Sequence, residues 1–586
     1  MEEKIKKLIK DALNNLSIEV SDIGLGHPAD LKMGDYSTNI ALAIAKNVGT
    51  NPRDLAEKIA KQMSRLNLDK YIEKVEIAGA GFINFYLSRK FFSGSIEEIL
   101  NQGENVGKNI KLAGQKIMIE YTDPNPFKPF HIGHLMTNAI GESIARILEH
   151  SGAKVARANY QGDVGLHVAK AIYGLLDNEK LQDKKGSTAF QAANIGVAYA
   201  RGAEAYENDG EGRGAKKQID EINKKIYNKS DKEINKIYEW GFKVTMEAFE
   251  DLYKALGTKF DFYFLESEMA IVGENIVRAD IDKLIDPKGS KKIFEESDGA
   301  IVFKAEKYDP KLHTRVFITR EGLPTYETKE LGLTEEKFKT NPDMNLSIIV
   351  TANEQMDYMR VVTQAVSLIN PLHASKMKHI SHGMMRFGKS SSGKMSSRRG
   401  NVITGESLLN DVRDAILEKM TDRDFENVER EKVTMSVAVS AIKYSILKQS
   451  AGGDIVYDLE SSISTEGDSG PYLQYSYARA NSILEKAQKE NILPDPHAMP
   501  AQVFEVERLL YRFPEVVLRS ANEYEPHYVA NYLIEIARAF NSFYGNNIVV
   551  NKEDEFSPYK VALTYAFTFV MKNGLSLLGI AHPKKM

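Results

Sequence analysis

The chain has 586 residues, 42% hydrophobic and 27% charged, with 81 acidic against 77 basic side chains and a formal charge of −4, the balance of a folded globular protein rather than a disordered, fibrous or histone-like one. It has no cysteine, which excludes disulfides, thiolate nucleophiles, thiolate-bound zinc and iron–sulfur clusters. No run of about 18 apolar residues occurs, and the start Met1-Glu2-Glu3-Lys4-Ile5 is neither apolar nor basic enough for a leader, so the expected protein is cytoplasmic with no membrane span.

At roughly 150 residues per domain the length predicts three or four domains. Ile5, Leu8, Ile9, Ala12, Leu13 and Leu16 have helical spacing over 3–16, as do Leu55, Ile59, Met63 and Leu66 over 53–66. A strand pair fits 74–87, with Gly79 and Gly81 at its turn. These elements predict an α+β module over residues 1–105. Gln115 to Tyr121 reads as a buried strand, and Pro124, Pro126 and Pro129 forbid regular structure after it. A helix over 131–150 carries Leu135, Ile140, Ile144, Ile147 and Leu148 on one face, and a second strand follows at 155–160. Strand, helix and strand in this order make a βαβ unit and a parallel sheet. Residues 178–240 are polar and lysine-rich, yet Ile219, Ile222, Ile226, Ile234 and Ile237 keep helical spacing, as expected of a solvated helical insertion over about 178–250. Strand-like runs return at 301–303, 316–318 and 346–351. From about 430 the pattern is helical. Boundaries are expected near 105 and 465, giving a middle α/β domain over 106–465 and an all-helical domain over 466–586.

Two constellations carry chemistry. Pro129-Phe130-His131-Ile132-Gly133-His134 lies where a loop leaves a parallel strand and opens a helix. Backbone N–H groups there favour a phosphate, and two imidazoles three residues apart can donate to phosphoryl oxygens. No cysteine or neighbouring carboxylate pattern accompanies them, so no bound metal is expected. Gly388 to Asn401 reads GKSSSGKMSSRRGN. It nearly matches a Walker A loop, but Met395 stands at the hydroxyl position and Gly400-Asn401 interrupt the following helix. A loop dense in lysine, arginine and serine still suits a polyphosphate.

In this order the two constellations resemble the HIGH and KMSKS signatures of class I aminoacyl-tRNA synthetases. The resemblance narrows to the arginyl-tRNA synthetase family. Glu120 to His134, EYTDPNPFKPFHIGH, is similar to that family's extended signature, as are Asn159 to Gly165, NYQGDVG, and the N-terminal stretch Gly34-Asp35-Tyr36-Ser37-Thr38-Asn39. Gly470-Pro471-Tyr472-Leu473-Gln474-Tyr475 resembles the opening of its helical anticodon-binding domain, and Lys572 to Ile580, KNGLSLLGI, its C-terminus. The resemblance implies an α/β fold: a Rossmann-like parallel-sheet catalytic domain, an N-terminal α+β tRNA-binding module and a C-terminal all-helical domain. It implies ligation of L-arginine to tRNA(Arg) through an arginyl-adenylate, with ATP as substrate and Mg2+ held by ATP, in a monomer.

By the same resemblance His131, His134, Lys128 and Lys394 are the catalytic positions. Pro129, Gly133, Gly383, Lys394, Met395, Ser396 and Ser397 meet ATP, and Glu120, Asn125, Tyr326, Glu330 and Gln355 meet arginine. Two departures stand out. Ser397 replaces the second lysine of KMSKS, with Lys128 or Arg398 as the compensating cation. The family's T-Y-x-T-R-D reads Thr325-Tyr326-Glu327-Thr328-Lys329-Glu330 here, so glutamate replaces aspartate. Two other readings stay open: a small-molecule nucleotidylyltransferase, which would not need the N-terminal module or the helical C-terminus, and a non-catalytic synthetase-like RNA-binding protein, which would not need both histidines and both lysines.

Overall fold

At the N-terminus, α1 (Glu2–Asn14) turns Ile5, Ile9 and Leu13 inward. It is followed by β1 (Tyr36–Thr38), α2 (Ile40–Val48) and α3 (Pro52–Arg65), which buries Leu55, Ile59 and Met63. Asn51 starts α3 by accepting the Arg53 N–H at 2.9 Å, with Pro52 in the first helical position. β2 (Ile72–Ala78) and β3 (Phe82–Leu87) form the expected hairpin, in an antiparallel sheet of order β1-β3-β2. The chain then enters α4 (Arg89–Gln102). The computed structural model describes residues 1–66, 69–209, 214–281, 293–388, 403–419 and 427–586. They form two units: Met1–Val106 with Arg479–Pro514 and Glu535–Met571, and Gly107–Ala478 with Glu515–Ile534 and Lys572–Met586.

The first unit is fastened by buried charge. Asp35 accepts the Leu87 N–H at 2.8 Å and pairs with Arg508 at 2.7 Å. Glu507, wholly buried, takes Arg89 at 2.7 Å, the Phe504 N–H at 2.9 Å and the Tyr559 hydroxyl. In the 34–39 motif Ser37 donates to Asn84 and Thr38 to the Gly24 carbonyl, each at 2.6 Å. These motif side chains serve the unit's own scaffold.

The second unit is built on five parallel strands: β4 (Lys116–Glu120), β5 (Lys154–Gln161), β6 (Phe262–Leu265), β10 (Leu346–Ala352) and β11 (Met377–His382). Their order is β11-β10-β4-β5-β6. The chain moves outward from β4 to β6, then returns to the opposite side of β4. The direction therefore reverses between β4 and β10, and the crevice at their carboxyl ends is where such sheets bind ligands. A small antiparallel sheet of β7 (Glu295–Ser297), β8 (Ala300–Phe303) and β9 (Arg315–Ile318) and a parallel pair of β12 (Met385–Phe387) with β13 (Ile455–Tyr457) complete the strands.

α5 (Ile132–His150) follows β4 and is buried on nearly every side. Its polar Glu142 is satisfied by Tyr121, Arg146 and Arg157 at 2.5, 2.7 and 3.0 Å, as a buried carboxylate requires. α6 (Leu166–Asp177), α7 (Thr188–Glu207), α8 (Ala215–Asn228) and α9 (Lys232–Leu256) pack into a separate apolar cluster with Val168, Ile172, Ile195, Ile219, Ile222 and Ile226. α10 (Glu266–Ile281), α11 (Tyr326–Thr340) and α12 (Met356–Ile369) complete the surroundings of the crevice. Beyond residue 427 the described elements are helical apart from β13. Among the described residues no helix is long and apolar enough to cross a membrane.

Candidate active site

His131 is the N-cap of α5, in extended conformation. Its Nδ1 accepts the His134 N–H at 3.3 Å, and Nδ1 of His134 accepts the His131 N–H at 3.2 Å. The rings stack with centroids 3.4 Å apart. A Cβ at Gly133 would lie 2.9 Å from Cε1 of His131, so glycine makes room for the stack. Both imidazoles are held below the ordinary histidine range, by desolvation first, then by Lys128 for His131 and by His131 and Lys128 for His134. They are neutral, and because each Nδ1 accepts, each Nε2 carries the proton. The opening of α5 thus presents two uncharged N–H donors beside its own unpaired backbone N–H groups.

The loop from β4 to α5 is strained. Thr122, Asp123 and Phe127 have φ of +82°, +46° and +66°, a conformation that costs non-glycine residues about 1–2 kcal/mol each. Hydrogen bonds to β5 and the turn after it hold the loop: Asp123 accepts the Tyr160 N–H at 2.7 Å, and Asn125 Oδ1 accepts the Gly162 N–H at 3.0 Å. Strain of this kind persists where the surroundings over-determine it, as at ligand sites.

Beyond the loop lies a buried acidic pocket. Glu120, the last residue of β4, pairs with Lys337 of α11. Glu266, which opens α10, pairs with Lys329 of α11 at 2.8 Å. Glu330 is also buried, and the Tyr358 hydroxyl donates to its Oε2 at 3.5 Å. Burial, then the Glu120 charge, pushes the Glu330 carboxyl up to about 7, against the pull of Lys337. The same two causes push Asp123 up. Glu330 Oε1, the Tyr160 hydroxyl and both amide atoms of Gln161 are buried with no protein hydrogen-bond partner among the described residues. Unpaired buried polar atoms of this kind are costly. The Tyr160 hydroxyl lies within the electrostatic reach of Glu266, Glu330 and Glu120, and an unpaired buried carboxylate oxygen in such surroundings fits a ligand with several N–H donors.

The described members of the expected set lie toward the carboxyl end of the sheet. Glu120 ends β4, and Asn125, Lys128, Pro129, His131, Gly133 and His134 follow it. Tyr326 and Glu330 lie on α11; Tyr326 is 64% exposed, and Lys329 Nζ lies 5.0 Å from its ring centroid. Gln355 is exposed in the turn after β10, and Gly383 follows β11, pressed against Gly453. Glu120, expected among the arginine-binding residues, pairs with Lys337 in this structure. Lys394, Met395, Ser396, Ser397 and Arg398 lie outside the described residues. The chain re-emerges beside the histidines: His131 bridges Thr404, and the Gly405 N–H donates to the Phe130 carbonyl at 2.8 Å. The motifs contain Tyr160, Gln161 and Lys329 without a role for them, and no motif reaches Glu266, Lys337 or Tyr358.

A switch-point crevice with a neutral histidine pair at a helix start and a buried carboxylate pocket beside it defines a nucleotide-binding α/β enzyme with a cationic or N–H-rich second substrate. Comparison with known proteins narrows this. Residues 95–459 match the model described as tRNA synthetases class I (R), catalytic domain; residues 3–87 match the arginyl tRNA synthetase N terminal domain, and 473–586 the DALR anticodon binding domain. The arginine–tRNA ligase of Clostridium perfringens is 30% identical over 594 residues, spanning 100% of this chain and 99% of the relative. The solved arginyl-tRNA synthetases of Thermus thermophilus and Plasmodium falciparum share the fold, with TM-scores of 0.78 and 0.75 at 23% and 20% identity; each alignment covers 100% of this chain, and 100% and 99% of theirs. The chain belongs to the arginyl-tRNA synthetase family, the arginine–tRNA ligases of class I.

Proposed function

We propose that the chain activates L-arginine with ATP to arginyl-adenylate and pyrophosphate, then transfers the arginyl group to the terminal ribose of tRNA(Arg), releasing AMP. The observation that carries the substrate assignment is Oε1 of Glu330, which has no partner among the described residues. It is a buried acceptor in a pocket whose carboxylates Glu120 and Glu266 are matched by Lys337 and Lys329. A guanidinium supplies the missing charge and fills several acceptors with one planar fork.

In activation the arginine carboxylate attacks the α-phosphorus in line, a P–O bond forms, and the bond to pyrophosphate breaks. No covalent enzyme intermediate is needed, so positioning and electrostatic stabilisation do the catalysis. His131 and His134 donate Nε2–H to phosphoryl oxygens, and as neutral rings they do so without adding charge of their own. Lys128, half-buried and three residues before His131, supplies the cation that Ser397 does not. Pro129, Gly133 and Gly383 border the nucleoside, and Lys394, Met395, Ser396 and Ser397 are the further ATP-binding positions. Tyr326 and Gln355 flank arginine, while Asn125 fixes the loop through Gly162. Mg2+ enters as part of the ATP substrate; among the described residues no group of three His, Asp or Glu side chains is placed to hold a metal.

The reading takes the protein as a cytoplasmic monomer. The reading divides the chain into a tRNA-binding module over 1–105, the catalytic domain over 106–465 and an anticodon-binding domain over 466–586. The test is ATP–pyrophosphate exchange with each amino acid, with and without tRNA. Exchange is expected with arginine and cognate tRNA together. Exchange with another amino acid overturns the assignment; exchange with arginine alone overturns only the tRNA requirement.

A further inference from the structure

The polar stretch 178–250 reads as a solvated addition, yet its helices grip three consecutive residues of the loop that opens the active site. Phe127 is fully buried within the α6–α9 apolar cluster. Its ring stacks on Tyr238 of α9 with centroids 5.8 Å apart, and it occupies the space where a Cβ on Gly241 would sit, 2.3 Å from its Cε1. Tyr238 in turn donates to Asp163 at 3.2 Å. Lys128 places its Nζ 5.5 Å from the ring centroid of Tyr199 on α7. Pro129 faces Gly196, one helical turn before Tyr199, with its Cγ 3.3 Å from where a Cβ would be. Burial of Phe127 is what holds this residue at φ +66°.

An ammonium on a four-carbon stem is poorly directed by itself. Two other charges act on Lys128: Glu266 attracts it and Lys170 repels it. Glu266 is already paired with Lys329 at 2.8 Å, but its remaining pull on Lys128 is away from a phosphate. An aromatic face holds a cation within about 6 Å of its centroid without neutralising it.

We propose that Tyr199 is a positioning residue that keeps Lys128 off Glu266 and aimed at the ATP phosphates, so that the α6–α9 helices are the seat of the cation replacing the second lysine of the KMSKS loop. This rests on the reading that Lys128 serves the phosphates. The helices then have a task in activation, distinct from any contact with RNA.

The test is a double-mutant cycle on the full-length protein, read as arginine-dependent ATP–pyrophosphate exchange with an arginine tRNA transcript. Tyr199→Phe keeps the ring face and is expected within about twofold of the parent. Tyr199→Leu is expected to lower kcat about tenfold, with arginine KM unchanged. In a Lys128→Met background, Tyr199→Leu is expected to cost less than about twofold more, because there is no cation left to aim. If Tyr199→Leu costs the same in both backgrounds, or Phe is as damaging as Leu, Tyr199 acts through packing alone and the inference is overturned. If Lys128→Met slows exchange and Tyr199→Leu does not, the inference falls and the role of Lys128 stands. If Lys128→Met is itself neutral, both fall.

Discussion

His131 and His134 cap each other: each ring's Nδ1 accepts the other's backbone N–H, at 3.3 and 3.2 Å, across a stack 3.4 Å between centroids. The start of α5 and the phosphate donors are therefore one object. His131→Ala or His134→Ala removes a donor and a cap together. Each is expected to lower the rate of adenylate formation on the order of a hundredfold and to cost about 1 kcal/mol of stability. Because each ring holds the other, the double variant is expected to lose much less than the product of the two. Single-turnover kinetics with urea unfolding checks both; multiplicative rate losses would mean that the rings act independently.

Gly133→Ala separates the two roles. Alanine in a helix interior is favoured over glycine by about 1 kcal/mol, and the first turn can share in that gain. The new Cβ meets His131 Cε1 at 2.9 Å and forces the stack open. Melting temperature is expected to hold or rise while exchange falls about tenfold, the consequence of a small misplacement of reacting groups. A variant as active as the parent would show that the stacked geometry is dispensable.

How much of this site was legible beforehand varied with the kind of signal. β4 and α5 were readable because Ile117, Met118 and Ile119 form an apolar run, three prolines end it, and the helix keeps a clean apolar period. α11 was not, because the side chains it buries include Thr328, Lys329, Glu330, Thr334 and Lys337. A helix with a charged buried face has no hydrophobic stripe to find. Glu266 and Lys329 are 63 residues apart in the chain, so no local spacing announces the pair. The tight grip on Phe127 was hidden too, since nothing in lysine-rich composition marks which face of an added helix is buried.

Lys128 against Lys394 tests the departure at Ser397. With the second KMSKS lysine absent, Lys128→Ala is expected to slow adenylate formation more than Lys394→Ala, by on the order of a hundredfold against the parent. The comparison belongs on the activation step, because transfer to tRNA need not use the same group. A neutral Lys128→Ala alongside a damaging Arg398→Ala would move the compensating cation into the loop.

Stability of the first unit should hinge on Glu507, which meets Arg89, Tyr559 and the Phe504 N–H while wholly buried. Glu507→Ala leaves Arg89, itself only 17% exposed at its side chain, without its counter-ion. Removing one partner of a buried pair costs about 3–5 kcal/mol. Arginine-dependent exchange by the folded fraction should be spared, because none of the proposed catalytic residues belongs to this unit. Denaturant titration followed by exchange at low denaturant measures both; a loss below about 1 kcal/mol would place the network among weak surface pairs.

Glu330 gives the site a pH dependence of definite sign. Its carboxyl is pushed up from 4.5 to about 7 by burial and by Glu120. The fold therefore favours the protonated form: the contribution of Glu330 to stability is complete below pH 4.5 and is lost as pH rises through 7. Arginine binding has the opposite preference, because the guanidinium needs the ionised carboxylate. Binding should release a proton near neutrality, and arginine affinity should fall about tenfold per pH unit below 7. Calorimetry in buffers of different ionisation enthalpy reads the proton directly. Glu330→Gln is expected to raise arginine KM, spare tRNA binding and flatten the limb between pH 6 and 8. An amide leaves the guanidinium with hydrogen bonds but no opposite charge. Glu330→Asp should keep the limb, since a carboxylate remains in the same pocket, with a shorter reach to substrate. Asp123 is the rival, since its carboxyl is also pushed up by burial and by Glu120. It accepts the Tyr160 N–H at 2.7 Å, so Asp123→Asn disturbs the loop as well as the charge. A pH profile unchanged in Glu330→Gln would assign the titration to Asp123 and leave Glu330 without contact to arginine.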